Sequence, residues 1–347
     1  MKKSLFILAL VVLVGTVSSA PASAGFFDFL FGKDNGEVNL YTNRHYDTDE
    51  ELLKQFEEET GIKVNVLKGG SDELIERIAR EGKNTNADLL ITADAGRLHR
   101  AKAAGLLQAI DSETVLNNIP ANLRDEDNQW VALTVRGRVV VYAKDRVNPL
   151  EISTYEDLTA DKWRGKILVR SSANIYNQSL LASLYALNGE KYARAWAEGV
   201  LNNMARAPRG NDRAQATAVA AGIGDLAIMN TYYIGKMLNS SNPEEVKVAK
   251  QVGVRFLEPT HINVSGVGLT KHAKNRENAI KLIEFLSSAK AQKFFAEANY
   301  EYPANPTVEA SALLKSWGDF ETQDINLTKL GEFNQQAVEI FNEIGWQ

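Results

Sequence analysis

Apolar residues recur along this chain in two alternating periods, one suited to strands and one to helices. Residues 38–41 (VNLY) read as a strand. Residues 48–59 follow the helical period, with Leu52, Leu53 and Phe56 on one face and Gly61 as the stop. Residues 62–67 alternate apolar and polar, as a half-buried strand does. Ser71 is placed to cap a helix carrying Leu74, Ile75 and Ile78, and residues 87–92 form a buried-strand run. The alternation predicts an α/β fold built from βαβ units, with mostly parallel sheets flanked by helices.

Two extended stretches interrupt it. Residues 131–144 (VALTVRGRVVVYAK) are long for one strand, and residues 252–270 hold two strand-like runs separated by Pro259. Between them lies a second α/β block, residues 155–252. After them come a long amphipathic helix near residues 276–298 and a C-terminal helix near 327–344. A chain that passes twice between two α/β blocks on extended segments predicts two discontinuous lobes, two hinge crossovers and a cleft. The boundaries expected are residues 37–134 with 262–303 for the first lobe, and 135–261 with 304–347 for the second.

The first 24 residues form a separate object. Lys2 and Lys3 precede ten consecutive apolar residues, 5–14, and Ala22-Ser23-Ala24 supplies small residues for cleavage. Ten apolar residues cover about half the thickness of a bilayer, so the segment reads as a cleaved signal peptide, followed by a flexible leader over residues 25–36. The chain has no cysteine, which excludes disulfides, thiolate metal sites, a thiol nucleophile and the attachment point of a lipid anchor. An exported, soluble, untethered protein is expected. Loss of the signal peptide's two lysines would take the net charge from −5 to −7. With an isoelectric point near 5.6 and no long basic run, nucleic acid is not an expected partner. At 347 residues the chain has room for about two domains, each with its own core.

The motifs of common enzymes are absent: no G-x-S-x-G, no H-E-x-x-H, no Walker loop and no G-x-G-x-x-G after a strand. Of the four histidines, His99 and His272 sit among basic residues and read as surface, and His261 follows the Pro259 turn. His45 differs because Asn43-Arg44-His45-Tyr46-Asp47 joins a strand to a helix, the kind of turn that lines the crevice of an open α/β sheet. Two further turns of this kind follow: residues 170–176 (RSSANIY) after the strand at 167–169, and residues 230–233 (NTYY) after the strand at 225–229. Tyrosine therefore stands at three crevice-facing turns. Such a set suits a metal site, a stacking site for a sugar or amine, or plain packing with the hydroxyls in water. A hydrolase using Ser171 or Ser172 with His45 would need an orienting acid, and Asp47, the near candidate, sits where a helix cap belongs.

At these residues the chain resembles the periplasmic ferric-iron-binding proteins that serve ABC transporters, in the type II periplasmic solute-binding superfamily. The resemblance covers essentially the whole mature chain. It rests on residues 43–46, 154–158 (TYEDL), 162–166 (KWRGK), 283–287 (IEFLS) with 289–296, and 301–305 (EYPAN), and most specifically on 230–233. It implies a two-lobed type II periplasmic-binding-protein fold. It also implies ferric iron (Fe3+) as the transported ligand, and Tyr46, Tyr176, Tyr232 and Tyr233 as its ligands. His45 matches a histidine that ligates in some members and turns away in others. Arg136 matches an arginine that faces the metal from behind the ligands. The implied partners are iron and an ABC permease in the inner membrane, and the implied state is a periplasmic monomer that is not an enzyme. The same fold could instead serve a polyamine, which would need paired carboxylates between aromatics, or a phosphorylated small molecule.

The chemistry suits that implication. Ionising one phenol at pH 7 costs about 4 kcal/mol, and four cost roughly 16, which a strongly bound trivalent cation can offset and most divalent ions cannot. Four phenolates and a neutral imidazole would leave a ferric site near −1, which Arg136 could balance.

Overall fold

The computed structural model describes residues 36–347 apart from His45. The predicted signal peptide, the leader through residue 35 and His45 therefore lie outside the described residues. In chain order the elements are β1 (Glu37–Thr42), α1 (Asp47–Thr60), β2 (Lys63–Lys68), α2 (Ser71–Glu81), β3 (Leu89–Thr92), α3 (Ala95–Ala103), β4 (Leu107–Gln108), α4 (Glu113–Asn118) and β5 (Trp130–Ala143). There follow β6 (Ile167–Leu168), α5 (Ile175–Asn188), α6 (Glu190–Asn202), α7 (Asp212–Ala220), β7 (Leu226–Asn230), α8 (Thr231–Leu238), α9 (Pro243–Gln251) and β8 (Val252–Arg255). The chain ends with β9 (Ile262–Thr270), α10 (Arg276–Ser287), α11 (Ala289–Asn299), β10 (Tyr302–Pro303), α12 (Ala312–Lys315), α13 (Lys329–Glu332) and α14 (Asn334–Ile344). Among the described residues no helix is long and apolar enough to cross a membrane.

The strands run in the order β2-β1-β3-β9-β5-β7-β6. The expected mostly parallel sheets are in fact mixed. β1 pairs in parallel with β2 and β3, and β6 with β7, whereas β9 is antiparallel to β3 and β5, and β5 is antiparallel to β7 and β8. Parallel pairs form where a helix returns the chain to the same edge, and antiparallel pairs form where an extended segment enters from the other lobe. β5 belongs to both lobes. Its first half, from Trp130 to Gly137, pairs with β9, and its second half, from Arg138 to Ala143, pairs with β7 and β8. Nearly all of it is buried, which accounts for the near-continuous apolar run in its sequence.

The cores follow this division. Val38, Leu40, Leu89, Trp130, Val264 and Leu282 belong to one cluster in the first lobe. In the second lobe, Val140 belongs to a cluster with Trp196, Leu226 and Phe341, whereas its neighbours Val139 and Val141 belong to another with Met229, Ile234 and Phe256. Successive residues of one strand thus feed opposite faces, so that sheet is covered on both sides.

Four local expectations change. Gly70, not Ser71, holds the cap position of α2, where the Glu73 carboxylate accepts the Gly70 N–H at 3.3 Å. The helix expected near 276–298 is two helices. Ser288 takes an extended backbone between them, and its hydroxyl oxygen accepts the Ala291 N–H of α11 at 3.3 Å. The C-terminal helix likewise divides at Phe333 into α13 and α14. His99 and His272 are half-buried and not fully solvated; at His99, side-chain-free Gly331 within α13 lets that helix pack directly on the imidazole.

The two crossovers are fastened to each other. The Tyr155 hydroxyl donates to the Arg138 carbonyl at 2.6 Å and accepts the His261 N–H at 3.0 Å. The chain around residue 321 adds a further tie, with Thr260 N–H on the Glu321 carbonyl at 2.7 Å and Gln323 N–H on the Thr260 carbonyl at 3.0 Å. Phe320 stacks on Phe256 with ring centroids 4.2 Å apart. His261 is buried in this hinge, with Nδ1 3.3 Å from Gln323 Oε1; burial pushes its pKa down to about 3, against the opposing pull of Gln323. An unfolded histidine titrates near 6.5, so between these values the unfolded chain binds a proton that the folded chain refuses. The stability tied to His261 is therefore complete above about pH 6.5 and declines toward pH 3, by up to about 1.4 kcal/mol per pH unit. His261→Gln should flatten the acid limb of a plot of Tm against pH, whereas identical acid slopes in both proteins would show that another group sets that limb.

Candidate metal centre

Each of the three turns leaves a tyrosine at a helix N-terminus. In the first, Thr42 Oγ1 accepts the Arg44 N–H at 3.0 Å, and Asn43 Oδ1 accepts the Ala93 N–H at 3.0 Å. These tie the turn to the end of β3 and place Tyr46 at the cap of α1. In the second, Asn174 caps α5 by accepting the Tyr176 N–H at 3.2 Å. In the third, β7 ends at Asn230 and α8 starts at once, so Tyr232 and Tyr233 fall in its first turn. Helix N-termini carry partial positive charge and favour anionic groups such as phenolates.

Tyr46, Tyr176, Tyr232 and Tyr233 line one cavity of about 210 Å³. The Tyr176 and Tyr232 hydroxyls lie 3.4 Å apart, and the Tyr232 and Tyr233 rings stack with centroids 4.2 Å apart. This self-stacking leaves no slot between that pair for a sugar or amine. Arg136 lines the cavity too, 1% exposed, with its guanidinium donating to Ser265 Oγ at 3.0 Å and the Val264 carbonyl at 2.8 Å, and its Cζ 5.4 Å from the Tyr176 ring centre. The structure thus brings together the four tyrosines and Arg136, while His45 lies outside the described residues.

Carboxylates play little part in the lining. Among the described residues no group of three or more His, Asp or Glu is placed to hold a metal. Glu301, the carboxylate in the cavity wall, accepts Arg44 at 3.1 Å and lies 3.7 Å from Arg136. A polyamine site with paired acids between aromatics finds no counterpart in this lining. Ser171 and Ser172 do not line the cavity, and Ser171 Oγ accepts the Ala173 N–H at 3.2 Å.

Three of these phenols, Tyr46, Tyr232 and Tyr233, are held neutral when no cation is bound. Burial raises Tyr46 well above the ordinary value near 10, with Glu301 adding to the rise and Arg44 opposing it. Burial does the same to Tyr232, reinforced by Tyr176 and Tyr46. Tyr233 is pushed up to about 12 by burial, then by Tyr176 and Asp212. Burial works against the charge of Arg136, yet the facing Tyr176, Tyr232 and Glu301 raise its pKa above the usual arginine value.

Several lining residues were not singled out from the sequence. Lys236 Nζ lies 3.2 Å from the Tyr46 ring centre, and burial lowers its pKa to about 8 against the pull of Glu301. Its position, three and four residues after Tyr233 and Tyr232 on α8, was the available signal, since such spacings share a helix face. Arg44 and Glu301, 257 residues apart, give no local signal. Chemically, one buried and three half-buried phenols with cations behind them and few carboxylates suit a hard, highly charged cation able to displace phenolic protons.

A sequence profile described as "Bacterial extracellular solute-binding protein" matches residues 84–320. The "Iron uptake protein A1" of Synechocystis sp. (strain ATCC 27184 / PCC 6803 / Kazusa) is 49% identical over 90% of this chain and 88% of its own length. A solved structure of the Trichodesmium protein named IdiA or FutA, "in complex with iron and citrate ligands", is 49% identical, covers 90% of this chain and 100% of its own, and superposes with a TM-score of 0.87. The "Ferric binding protein from Campylobacter jejuni" is 43% identical, covers 89% of this chain and 100% of its own, and gives a TM-score of 0.85.

Proposed function

This chain belongs to the bacterial extracellular solute-binding protein family, and from that premise we propose that it captures ferric iron between its lobes and delivers it to an ABC permease. It is a transport protein and not an enzyme, in keeping with the relatives named for iron uptake and ferric binding. The ligands in this reading are Tyr46 from the first lobe and Tyr176, Tyr232 and Tyr233 from the second. His45, adjacent to Tyr46 in sequence, adds a neutral donor. The observation that carries the reading is the convergence of four phenols in one cavity, without an acidic cluster among the described residues.

Iron(III) would replace the phenolic protons, and the resulting site, near −1, would be balanced by Arg136 in the same wall. Because the donors come from both lobes, the metal stabilises the closed arrangement over the open one, and the permease reads that closed shape. Protonation of the phenolates, or one-electron reduction by an external donor to iron(II), a poorer match for four anionic oxygens, would release it. The protein would work as a monomer in the periplasm, exported by the segment at residues 1–24.

The test is a visible absorption titration of the mature protein with ferric citrate at neutral pH. A broad phenolate-to-iron charge-transfer band that saturates at one iron per chain is expected. Absence of a band, with no rise in Tm on adding iron, would remove iron as the solute while leaving the fold in place.

A further inference from the structure

Arg138 lies one pleat beyond Arg136 on β5, on the same face, and takes no part in lining the cavity. It is 1% exposed, and its guanidinium reaches three separate segments of the second lobe. Nη2 donates to Asn177 Oδ1 at 2.7 Å, and Nη1 donates to Asn230 Oδ1 at 3.2 Å and to Asp212 Oδ1 at 3.3 Å. Asn177 directly follows Tyr176, and Asn230 ends the strand that leads into Tyr232 and Tyr233. Asp212, fully buried, also accepts Arg170 at 3.4 Å through its other oxygen. Asn177 in turn donates to the Arg170 and Ser171 carbonyls at 2.9 and 3.2 Å, closing the network around the turn that carries Tyr176.

We propose that Arg138 is a positioning residue for the metal centre: anchored by Asp212, it locks the Tyr176 turn to the Tyr232–Tyr233 turn, so that the second lobe presents three phenol oxygens in a fixed array before iron arrives. A planar fork of five N–H donors can hold three acceptors on three segments at once, which a lysine ammonium on a flexible stem does poorly. Neither asparagine owes its bond to local sequence, since Asn177 and Asn230 lie 39 and 92 residues from Arg138. The benefit falls on binding, because ligands already in place lose little freedom when the metal enters. A buried ion pair of purely architectural purpose needs only Asp212. The two amide bonds, each beside a tyrosine turn, are what tie this arginine to the site.

The inference rests on the ferric-iron reading, and the experiment separates the two. Mature wild-type protein, Arg138→Lys, Asn177→Ala, Asn230→Ala and the Asn177→Ala/Asn230→Ala pair are each titrated with ferric citrate. The readouts are the charge-transfer band, the apparent affinity against a competing chelator, and the Tm of the iron-free protein. Each single variant should bind iron more weakly, on the order of 10- to 100-fold, as losses of partners behind metal ligands do, with a shifted or weakened band. The pair should be little worse than either single change, because both release the same constraint. Should Arg138→Lys fail to fold, the asparagine variants decide. A folded Asn177→Ala protein with wild-type band and affinity, or losses that simply add in the pair, would overturn the positioning role and leave iron binding intact. A wild-type protein without a band would overturn the reading beneath it.

Discussion

Tyr232→Phe should remove tight ferric binding while leaving the iron-free fold intact. The change deletes one oxygen. The ring, 4% exposed and stacked on Tyr233, keeps its packing, and the bond lost is the 3.4 Å contact with the Tyr176 hydroxyl. A neutral hydrogen bond contributes about 1 kcal/mol net, which for a chain of this size lowers Tm by only about 2–4 °C. The loss of an anionic donor from the metal itself should exceed the roughly 100-fold upper end seen for residues that merely support ligands. Tyr302→Phe is the matched control. Its hydroxyl is also buried, with no hydrogen-bond partner among the described residues, but it packs against Phe320 away from the cavity, so iron binding should be unaffected. Calorimetry of the iron-free proteins and chelator competition decide the matter. If Tyr232→Phe unfolds the iron-free chain, Tyr232 is a core residue, and if it binds iron normally, the metal lies elsewhere.

The turns that carry the tyrosines were legible because each is a local event, a strand end followed within a few residues by a helix start, and local periodicity reports such events. Both crossovers were legible for the same reason, since fourteen residues of nearly continuous burial in β5 leave an unbroken apolar run. Strand direction was not legible. The antiparallel placement of β9 against β3 and β5 is set by pairings across more than a hundred residues, which no window sees. The break at Ser288 was concealed because the apolar period of α10 resumes in α11 almost in phase, although a serine ready to cap was there to be read. The cationic and acidic wall of the cavity was hidden in a different way. Arg44 and Glu301 in that wall, and Arg136 beside them, look like ordinary surface charges in a sequence; apart from the Arg44–Asp49 pair, the partners that make their burial tolerable lie more than a hundred residues away. Tyrosine identity pointed toward the metal, and the long-range network that would hold those tyrosines in place came from the fold.

Ferric binding at neutral pH should expel about three or more protons per iron, since each protonated phenol must ionise to become a ligand. The iron-free site holds Tyr46 and Tyr232 well above the ordinary phenol range and Tyr233 at about 12, so all three carry their protons at pH 7. The sign follows directly. Acid supplies the competitor for each oxygen, so affinity falls as pH falls, by about tenfold per pH unit for every proton displaced, or roughly a thousandfold per unit for three. The raised values steepen neither the slope nor its sign at pH 7. They extend the proton-coupled range upward, so the dependence should persist through pH 9 and beyond. Proton release can be counted with an indicator dye in weakly buffered solution, after subtracting the protonation of the citrate carrier, and the slope checked by chelator competition at several pH values. Release of one proton or none, with affinity nearly flat in pH, would mean that water or a carboxylate carries the iron and would sink the four-phenolate site. A steep, proton-coupled affinity also gives the protein a physical route to unloading, because a modest local acidification beside the membrane would weaken the site by orders of magnitude without any change in the lobes' own contacts.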